Sequence, residues 1–464
     1  MDVTIFPRKL SGSIAAIDSK SHAHRLLTAL AMALFCSADS NVYALNTGKK
    51  FSDISREIIT DMSEDLSATM SCLTALLSQK SPELYCGESG STLRFLLPLA
   101  MAVQSCSPHT SVHFATFYGK GKLPERPLEP LDSELISHGA AIERPVHTAQ
   151  RDKCTDQQLI LSAFLPEGNE LSGGDYEMPG HISSQYITGL MMALPLIRED
   201  SRIIVTSELQ SRAYIDITLA VLRDFGIQIE TEEKIPGMPV YCIKGGQKYV
   251  FPQKELQTGP SQNTRASIVI KPEGDWSNAA FWLSASALGS DIRISGLNDA
   301  SPQGDKAISG ILENFSHRRN SNSIHPLIID AGNIPDLIPI ISVVAALVPG
   351  QTQITNAGRL RIKESDRLKT TCAMLSALDA DISETADGLI INGKKQLAGG
   401  TVDGAGDHRI VMAAAIAATC CSEPVIIYGA QAAAKSYPAF FEHYEKLGGE
   451  LSFTRHGGGN ISLD

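Results

Sequence analysis

Long apolar runs are missing from this 464-residue chain. The longest, near Leu337 to Pro349 and Ile410 to Cys421, fall short of the roughly 20 residues that a membrane-spanning helix needs, so no membrane partner is expected. Asp2, Arg8 and Lys9 break up the first apolar stretches, which leaves no signal-peptide pattern and points to a cytoplasmic protein. Positive charge is also scarce. Forty Lys and Arg against 51 Asp and Glu give a net charge of −11, which excludes the global basic field of a non-specific nucleic-acid binder. Any anionic ligand must therefore meet a local cationic cluster. The nine cysteines are odd in number, contain no Cys-x-x-Cys and include the neighbours Cys420 and Cys421. They fit neither a disulfide framework nor a zinc site, which again suits a reducing compartment. No Gly-x-Gly-x-x-Gly follows a predicted strand, so a dinucleotide-binding βαβ succession is not expected.

What is present is a globular composition, 43% apolar and 20% charged, on a length that predicts two or more domains. The sequence also repeats weakly. Six times, a short polar or glycine-containing opening leads into an Ala/Leu/Met-rich run of helical length and then a β-branched run. The openings are Asp18-Ser19-Lys20-Ser21, Glu88-Ser89-Gly90-Ser91, Ile182-Ser183-Ser184-Gln185, Gly274-Asp275-Trp276-Ser277, Ile334-Pro335-Asp336 and Gly406-Asp407-His408-Arg409. Leu26, Leu27, Leu30 and Leu34, and the runs Leu190 to Leu196, Ile341 to Leu347 and Val411 to Ala418, read as buried helix. Ser201 to Thr206, Asp291 to Ser295, Thr352 to Thr355 and Pro424 to Tyr428 read as strands. This pattern predicts an α+β protein built of α/β repeats.

From Thr231 to about Ser267 the pattern degrades into Gly, Pro, Gln and Lys, and a domain boundary is expected there, with three openings on each side. Residues 1–17 read as a lone strand that could join either half. Ser, Asp and Asn at the openings are good helix caps, and capping alone would explain any one of them. Six helix N-termini together would offer free N–H groups and partial positive charge to an anion. Lys20, Arg25, Arg94 and Arg409 lie in opening turns, where the helix dipole disfavours a cation unless it has an anion to hold.

The segment Arg359 to Lys369 is dense in charge. Lys363 with Asp366 and Glu364 with Arg367 are favourable i,i+3 pairs, whereas Lys363 and Arg367 repel. Within it, Lys363-Glu364-Ser365-Asp366-Arg367 resembles the Lys-Glu-Ser/Thr-Asp-Arg signature of the 5-enolpyruvylshikimate 3-phosphate synthase family (3-phosphoshikimate 1-carboxyvinyltransferases). Seven further motifs resemble the family's in order. They are Ser19-Lys20-Ser21 with Arg25, Gly90-Ser91-Thr92-Leu93-Arg94, Glu125-Arg126-Pro127, Ser183-Ser184-Gln185, Ser211 with Tyr214-Ile215-Asp216, Asp407-His408-Arg409 and Lys435-Ser436-Tyr437-Pro438. Eight ordered motifs over most of the chain are far more specific than any one.

The resemblance implies two globular halves, each of three βαβαββ units, in an inside-out enolpyruvyl-transferase-like barrel with the active site in the interdomain cleft. It implies an N-terminal half at 18–270 and a C-terminal half of 1–17 plus 271–464, with crossings near Ala16 to Lys20 and Ile268 to Gly274. The implied reaction moves the enolpyruvyl group of phosphoenolpyruvate to the 5-hydroxyl of shikimate 3-phosphate by addition and elimination. Phosphoenolpyruvate would meet Lys20, Gly90, Arg126, Gln185, Arg367, Arg409 and Lys435; planar arginines suit bidentate capture of phosphate and carboxylate. Shikimate 3-phosphate would meet Ser21, Arg25, Ser183, Ser184, Gln185, Ser211, Tyr214, Asp336 and Lys363. Glu364 is the candidate proton donor to the methylene carbon, and Asp336 with Lys20 would serve the hydroxyl and the leaving phosphate. No metal and no cofactor are implied, because Lys and Arg neutralise the charge, and a monomer acting on small molecules is expected.

Departures limit the resemblance. Ser91 stands where many relatives have Thr, Arg359 where some have Asn, and His22 with His24 replace less polar residues and are read as exposed or rim residues. The nearest rival, UDP-N-acetylglucosamine enolpyruvyl transferase, carries a reactive Cys before its Arg-Pro; the stretch Gly119 to Glu125 has none. A non-catalytic anion-binding relative and an RNA-end-processing relative are the remaining alternatives. The net charge of −11 opposes the second, and intact Glu364 and Asp336 oppose the first. Two halves joined by two strands make closure on binding an expectation.

Overall fold

The computed structural model describes residues 1–37, 51–106, 114–145, 158–252, 271–321, 325–454 and 460–461. The chain folds into two compact units, one of Met1–Ser19 with Glu273–Asp464 and the other of Lys20–Pro272. Each unit has its own apolar core.

All six openings lead into helices: Lys20–Cys36, Gly90–Cys106, Ser184–Ala193, Trp276–Ala287, Ile338–Leu347 (after the tight turn Pro335–Leu337) and His408–Ala418. Their Ala/Leu/Ile surfaces are apolar nearly all round, and such helices are stable only inside a core. Ile338 to Leu347 and His408 to Ala418 are buried throughout. Four openings cap through a side chain. Ser89 accepts from Thr92 N at 3.2 Å, Ser183 from Gln185 N at 3.3 Å, Asp275 from Asn278 N at 2.8 Å and Asp407 from Arg409 N at 2.9 Å.

The sheets carry the repeat. Glu83–Tyr85, Ala115–Gly119, Ala141–Glu143 and Gln158–Phe164 form one four-stranded sheet, and Gly174–Met178, Ser201–Val205, Ile229–Ile235 and Met238–Ile243 form a second. Leu327–Asp330, Gly350–Thr355, Asp381–Thr385 and Gly388–Gly393 form a third. In each the spatial order is first, second, fourth, third, with only the first pair parallel. A parallel pair needs a crossover helix, and the buried helix of the unit is that crossover. The last unit repeats the order with Gly400–Asp403, Val425–Tyr428 and Glu450–Thr454, but its fourth position is taken by Asp2–Phe6 from the start of the chain.

Residues 1–17 are therefore not one strand. Asp2–Phe6 joins the last sheet, while Ser11–Ala15 pairs in parallel with Asp291–Ser295. The proposed break at Thr231 is also corrected, because Ile229–Ile235 and Met238–Ile243 form a hairpin that turns at Gly237 with φ +78. The acidic residues that mask its strand pattern lie on an exposed edge, where charge protects against pairing with another chain. The remainder of that stretch, 253–270, lies outside the described residues, as does part of the crossing placed at Ile268. Among the described residues no helix is long and apolar enough to cross a membrane.

Candidate active site

In the Lys20–Pro272 unit, Lys20, Arg25 and Arg94 lie in the opening turns of helices, and Arg126 follows the turn Leu123–Glu125. Arg25 is 3% exposed, and its guanidinium meets neutral oxygens. Nε donates to Thr218 Oγ1 at 2.7 Å, Nη1 to the Ser21 carbonyl at 2.7 Å, and Nη2 to the Tyr214 carbonyl at 3.0 Å and Thr188 Oγ1 at 3.3 Å. Burial pushes its pKa down to about 10, and no described carboxylate forms an ion pair with it. A buried cation facing only dipoles is ready for an anion. Tyr214 lies below it, 5.9 Å from the guanidinium to the ring centre, and the helix carrying Tyr214 begins at fully buried Ser211, held at φ +57. Such left-handed backbone at a non-glycine residue persists only where its surroundings impose it.

Lys20 donates to Asp65 at 3.0 Å. Gln185 is locked in orientation: its Oε1 accepts from Arg94 Nη1 at 2.7 Å and its Nε2 donates to Ser91 at 2.9 Å. Arg94 Nη2 and Tyr186 Oη both donate to the Pro127 carbonyl, at 3.1 and 2.6 Å, and so hold the loop that presents Arg126. Gly90 lies against that guanidinium. A methyl group there would meet Arg126 Nη1 at 2.7 Å and Arg94 Nη1 at 3.0 Å. Ser183 is half-buried at its helix cap and Ser184 is buried. Sequence reasoning placed Arg94 in a motif and in an opening turn but not among the site residues. His24 is a correction. It is 2% exposed, with Nδ1 2.8 Å from Thr69 Oγ1, and burial followed by nearby Lys20 and Arg25 pushes it well below the usual imidazole range. It sits in the stretch Ala23 to Ala33 of its helix, which is buried on every face.

The second unit arranges its charges differently. Arg367, 1% exposed, is surrounded by three carboxylates. Nε donates to Asp407 Oδ2 at 2.8 Å, Nη1 to Asp336 Oδ1 at 2.7 Å, and Nη2 to Glu364 Oε2 at 2.7 Å and Asp407 Oδ1 at 3.3 Å. Four of its five N–H groups are thereby engaged. Fully buried Asp407 also accepts from Ser365 Oγ at 2.9 Å and caps its own helix, so it fixes Arg367 and Arg409 together. Sequence reasoning placed Asp407 in a motif but not among the site residues. Arg409 donates to the Ser277 carbonyl at 3.1 Å and lies 3.8 Å from Asp336 Oδ2. Lys435 donates to the Gly406 carbonyl at 2.6 Å.

The expected pairing of Lys363 with Asp366 does not form, because the helix begins only at Arg367 and Lys363 precedes it in extended backbone. Lys363 faces Asp336 Oδ1 at 3.9 Å instead, and Asp366 takes Arg361 at 3.2 Å. Burial pushes Lys363 down to about 8; Arg359 and Arg367 add to the shift and Asp336 opposes it. Among the described residues no set of three His, Cys, Asp or Glu side chains is arranged to hold a metal.

Comparison with known proteins agrees with these motifs. The sequence profile of EPSP synthase (3-phosphoshikimate 1-carboxyvinyltransferase) matches residues 6–444. The chain is 38% identical to the 3-phosphoshikimate 1-carboxyvinyltransferase of Clostridium perfringens (strain ATCC 13124), covering 97% of this chain and 99% of the relative. It is 37% identical to that of Clostridium acetobutylicum, covering 97% and 98%. In fold it is similar to an EPSP synthase structure from Acinetobacter baumannii, with TM-score 0.67 at 20% identity over 98% of this chain and 100% of the other. The enolpyruvyl transferase NikO from Streptomyces tendae is also similar, with TM-score 0.59 at 14% identity over 97% and 98%. With eight motifs in the expected order and relatives that match end to end, the chain belongs to the EPSP synthase (3-phosphoshikimate 1-carboxyvinyltransferase) family.

Proposed function

We propose that this chain transfers the enolpyruvyl group of phosphoenolpyruvate to the 5-hydroxyl of shikimate 3-phosphate and releases phosphate, as a cytoplasmic step toward aromatic amino acids. The observation that carries this reading is full-length kinship with 3-phosphoshikimate 1-carboxyvinyltransferases. The geometry of each unit supports the residue roles. In the Lys20–Pro272 unit, Arg25 with Ser21, Ser183, Ser184, Gln185, Ser211 and Tyr214 holds shikimate 3-phosphate, and Lys20, Gly90, Arg126 and Gln185 serve phosphoenolpyruvate. The other unit supplies Arg367, Arg409 and Lys435 to phosphoenolpyruvate, and Asp336 and Lys363 to shikimate 3-phosphate.

The chemistry follows from how Arg367 is occupied. One of its N–H groups is left for an incoming anion, and a second is gained only by displacing a carboxylate. Glu364 is easier to displace than Asp407, and Asp336 also faces Lys363 and Arg409. Glu364 makes one contact to Arg367 where Asp407 makes two, and Asp407 is fully buried. A Glu364 carboxyl that loses its cation and gains an anionic neighbour holds a proton more readily. It then protonates the methylene carbon while the 5-hydroxyl oxygen bonds to the central carbon. Asp336 takes the hydroxyl proton, which leaves with phosphate when the C–O bond breaks and the methyl group returns its proton.

The reading is tested by phosphate release from phosphoenolpyruvate in metal-chelated buffer, with shikimate 3-phosphate or UDP-N-acetylglucosamine as acceptor. Release is expected only with shikimate 3-phosphate; release only with the nucleotide sugar, or none with either, overturns it. The depressed Lys363 adds a pH dependence. Anion binding favours the charged amine, so below about pH 8 binding needs no proton uptake, whereas above it affinity falls by up to about tenfold per pH unit. Calorimetric titration of shikimate 3-phosphate in buffers of different ionisation enthalpy should register proton uptake above pH 8. Lys363→Arg should flatten that dependence, and a flat profile in the unaltered protein would remove Lys363 from the ligand.

A further inference from the structure

Arg25 and Arg94 are held by hydroxyls, carbonyls and a side-chain amide. Lys20 is held by a carboxylate. Its Nζ donates to Asp65 Oδ2 at 3.0 Å, and the two side chains are only 19% and 15% exposed. A negative charge beside a cation weakens that cation's attraction for an anion, so affinity for phosphoenolpyruvate does not explain the pair. Asp65 belongs to none of the eight motifs.

The pair joins two helix openings. Lys20 is the first residue of its helix, where the dipole disfavours a cation, and Asp65 lies in the first turn of the helix Glu64–Ser78, where the dipole favours a carboxylate. Ser63 caps that second helix, its Oγ accepting from Leu66 N at 3.3 Å. One turn further along both helices, His24 Nδ1 meets Thr69 Oγ1 at 2.8 Å. Thr69 Oγ1 also lies 3.2 Å from the Asp65 carbonyl oxygen and 2.6 Å from Thr92 Oγ1, and that hydroxyl lies 2.7 Å from Ser89 Oγ. These bonds fix the backbone of Asp65 against the helix that starts at Lys20 and against the one that starts at Gly90. A lysine stem is long and flexible, and its ammonium stands in one place only when it is tied there. With three N–H donors, the ammonium can keep one on Asp65 and turn another to a ligand.

We propose that Asp65 is a positioning residue for the transfer reaction, which fixes where the Lys20 ammonium stands without itself touching substrate. The inference rests on the function proposed above, in which Lys20 meets phosphoenolpyruvate and serves the leaving phosphate, and it names the group that aims Lys20.

In Asp65→Asn, kcat should fall by about 10–100-fold, since a misplacement of about 1 Å can cost about 10²-fold. KM for phosphoenolpyruvate should hold or fall, because a negative charge has gone from beside the anion. A purely structural role would raise KM instead. Pulse acetylation with acetic anhydride at one fixed pH, read by peptide mass spectrometry, needs no turnover and is therefore decided apart from the proposed function. Lys20 should label about fivefold faster in Asp65→Asn, the upper range of what a partly exposed ion pair is worth. Asp65→Glu is the second variant. It keeps the charge on a longer stem, so Lys20 should label at the unaltered rate while kcat still falls, because the ammonium follows its carboxylate. Unchanged labelling of Lys20 in Asp65→Asn, unaltered kcat in either variant, or a KM that rises in step with the loss of kcat overturns the proposal.

Discussion

Glu364→Gln is expected to bind both substrates and to lose turnover by about 10²–10⁴-fold, the usual contribution of a positioned proton donor. The amide keeps the size of the side chain and can still accept from Arg367 Nη2, which the carboxylate does at 2.7 Å. It cannot deliver a proton to carbon. Binding measured by calorimetry should stay within a few-fold and improve at the phosphoenolpyruvate step, because a neutral partner yields Arg367 more easily to an anion than a charged one does. Near-normal turnover would remove Glu364 from proton transfer. Binding lost in parallel with turnover would mean that the residue positions substrate.

Arg367→Met should produce the largest stability effect. It leaves Asp407, with no exposure, and half-buried Asp336 and Glu364 without the guanidinium that joins them. Removing one partner of a buried ion pair costs about 3–5 kcal/mol. For a unit of this size that lowers the melting temperature by roughly 6–20 °C. Met fills much of the volume of the arginine stem, so the loss reports charge more than a cavity. Its sign with pH follows: protonation relieves a stranded carboxylate, so the deficit should be smaller at pH 5 than at pH 8. Calorimetry of the Glu273–Asp464 region's transition decides the point, and an unchanged melting temperature, or a deficit that does not vary with pH, would contradict the role of Arg367 in joining the three carboxylates.

The features legible in sequence were those set by local rules. Helix openings could be read because Ser183, Asp275 and Asp407 are caps followed by apolar runs, and both cues act within a few residues. The hairpin from Ile229 to Ile243 was masked by exposed charge on its outer strand, which obscures a two-residue period. In the candidate site, the motif residues were visible as residue types, but their partners were not. That Arg94 steadies Gln185, or that Asp407 holds Arg367, depends on contacts between segments far apart in sequence. His24 was misread because a polar residue in a helix is exposed by default, and here the helix is buried from Ala23 to Ala33.

The strand Asp2–Phe6, inserted between Val425–Tyr428 and Glu450–Thr454, places Val3 opposite both Ile427 and Phe453. During synthesis the Lys20–Pro272 unit can close from one continuous stretch of emerged chain. The other unit must keep the strand Asp2–Phe6 unpaired until Val425–Tyr428 and Glu450–Thr454 have left the ribosome, a delay on the order of tens of seconds at about 5–20 residues per second. Val3 and Ile5, both fully buried in the finished sheet, are exposed for that interval. The segment most in need of a chaperone is thus made long before either of its partners.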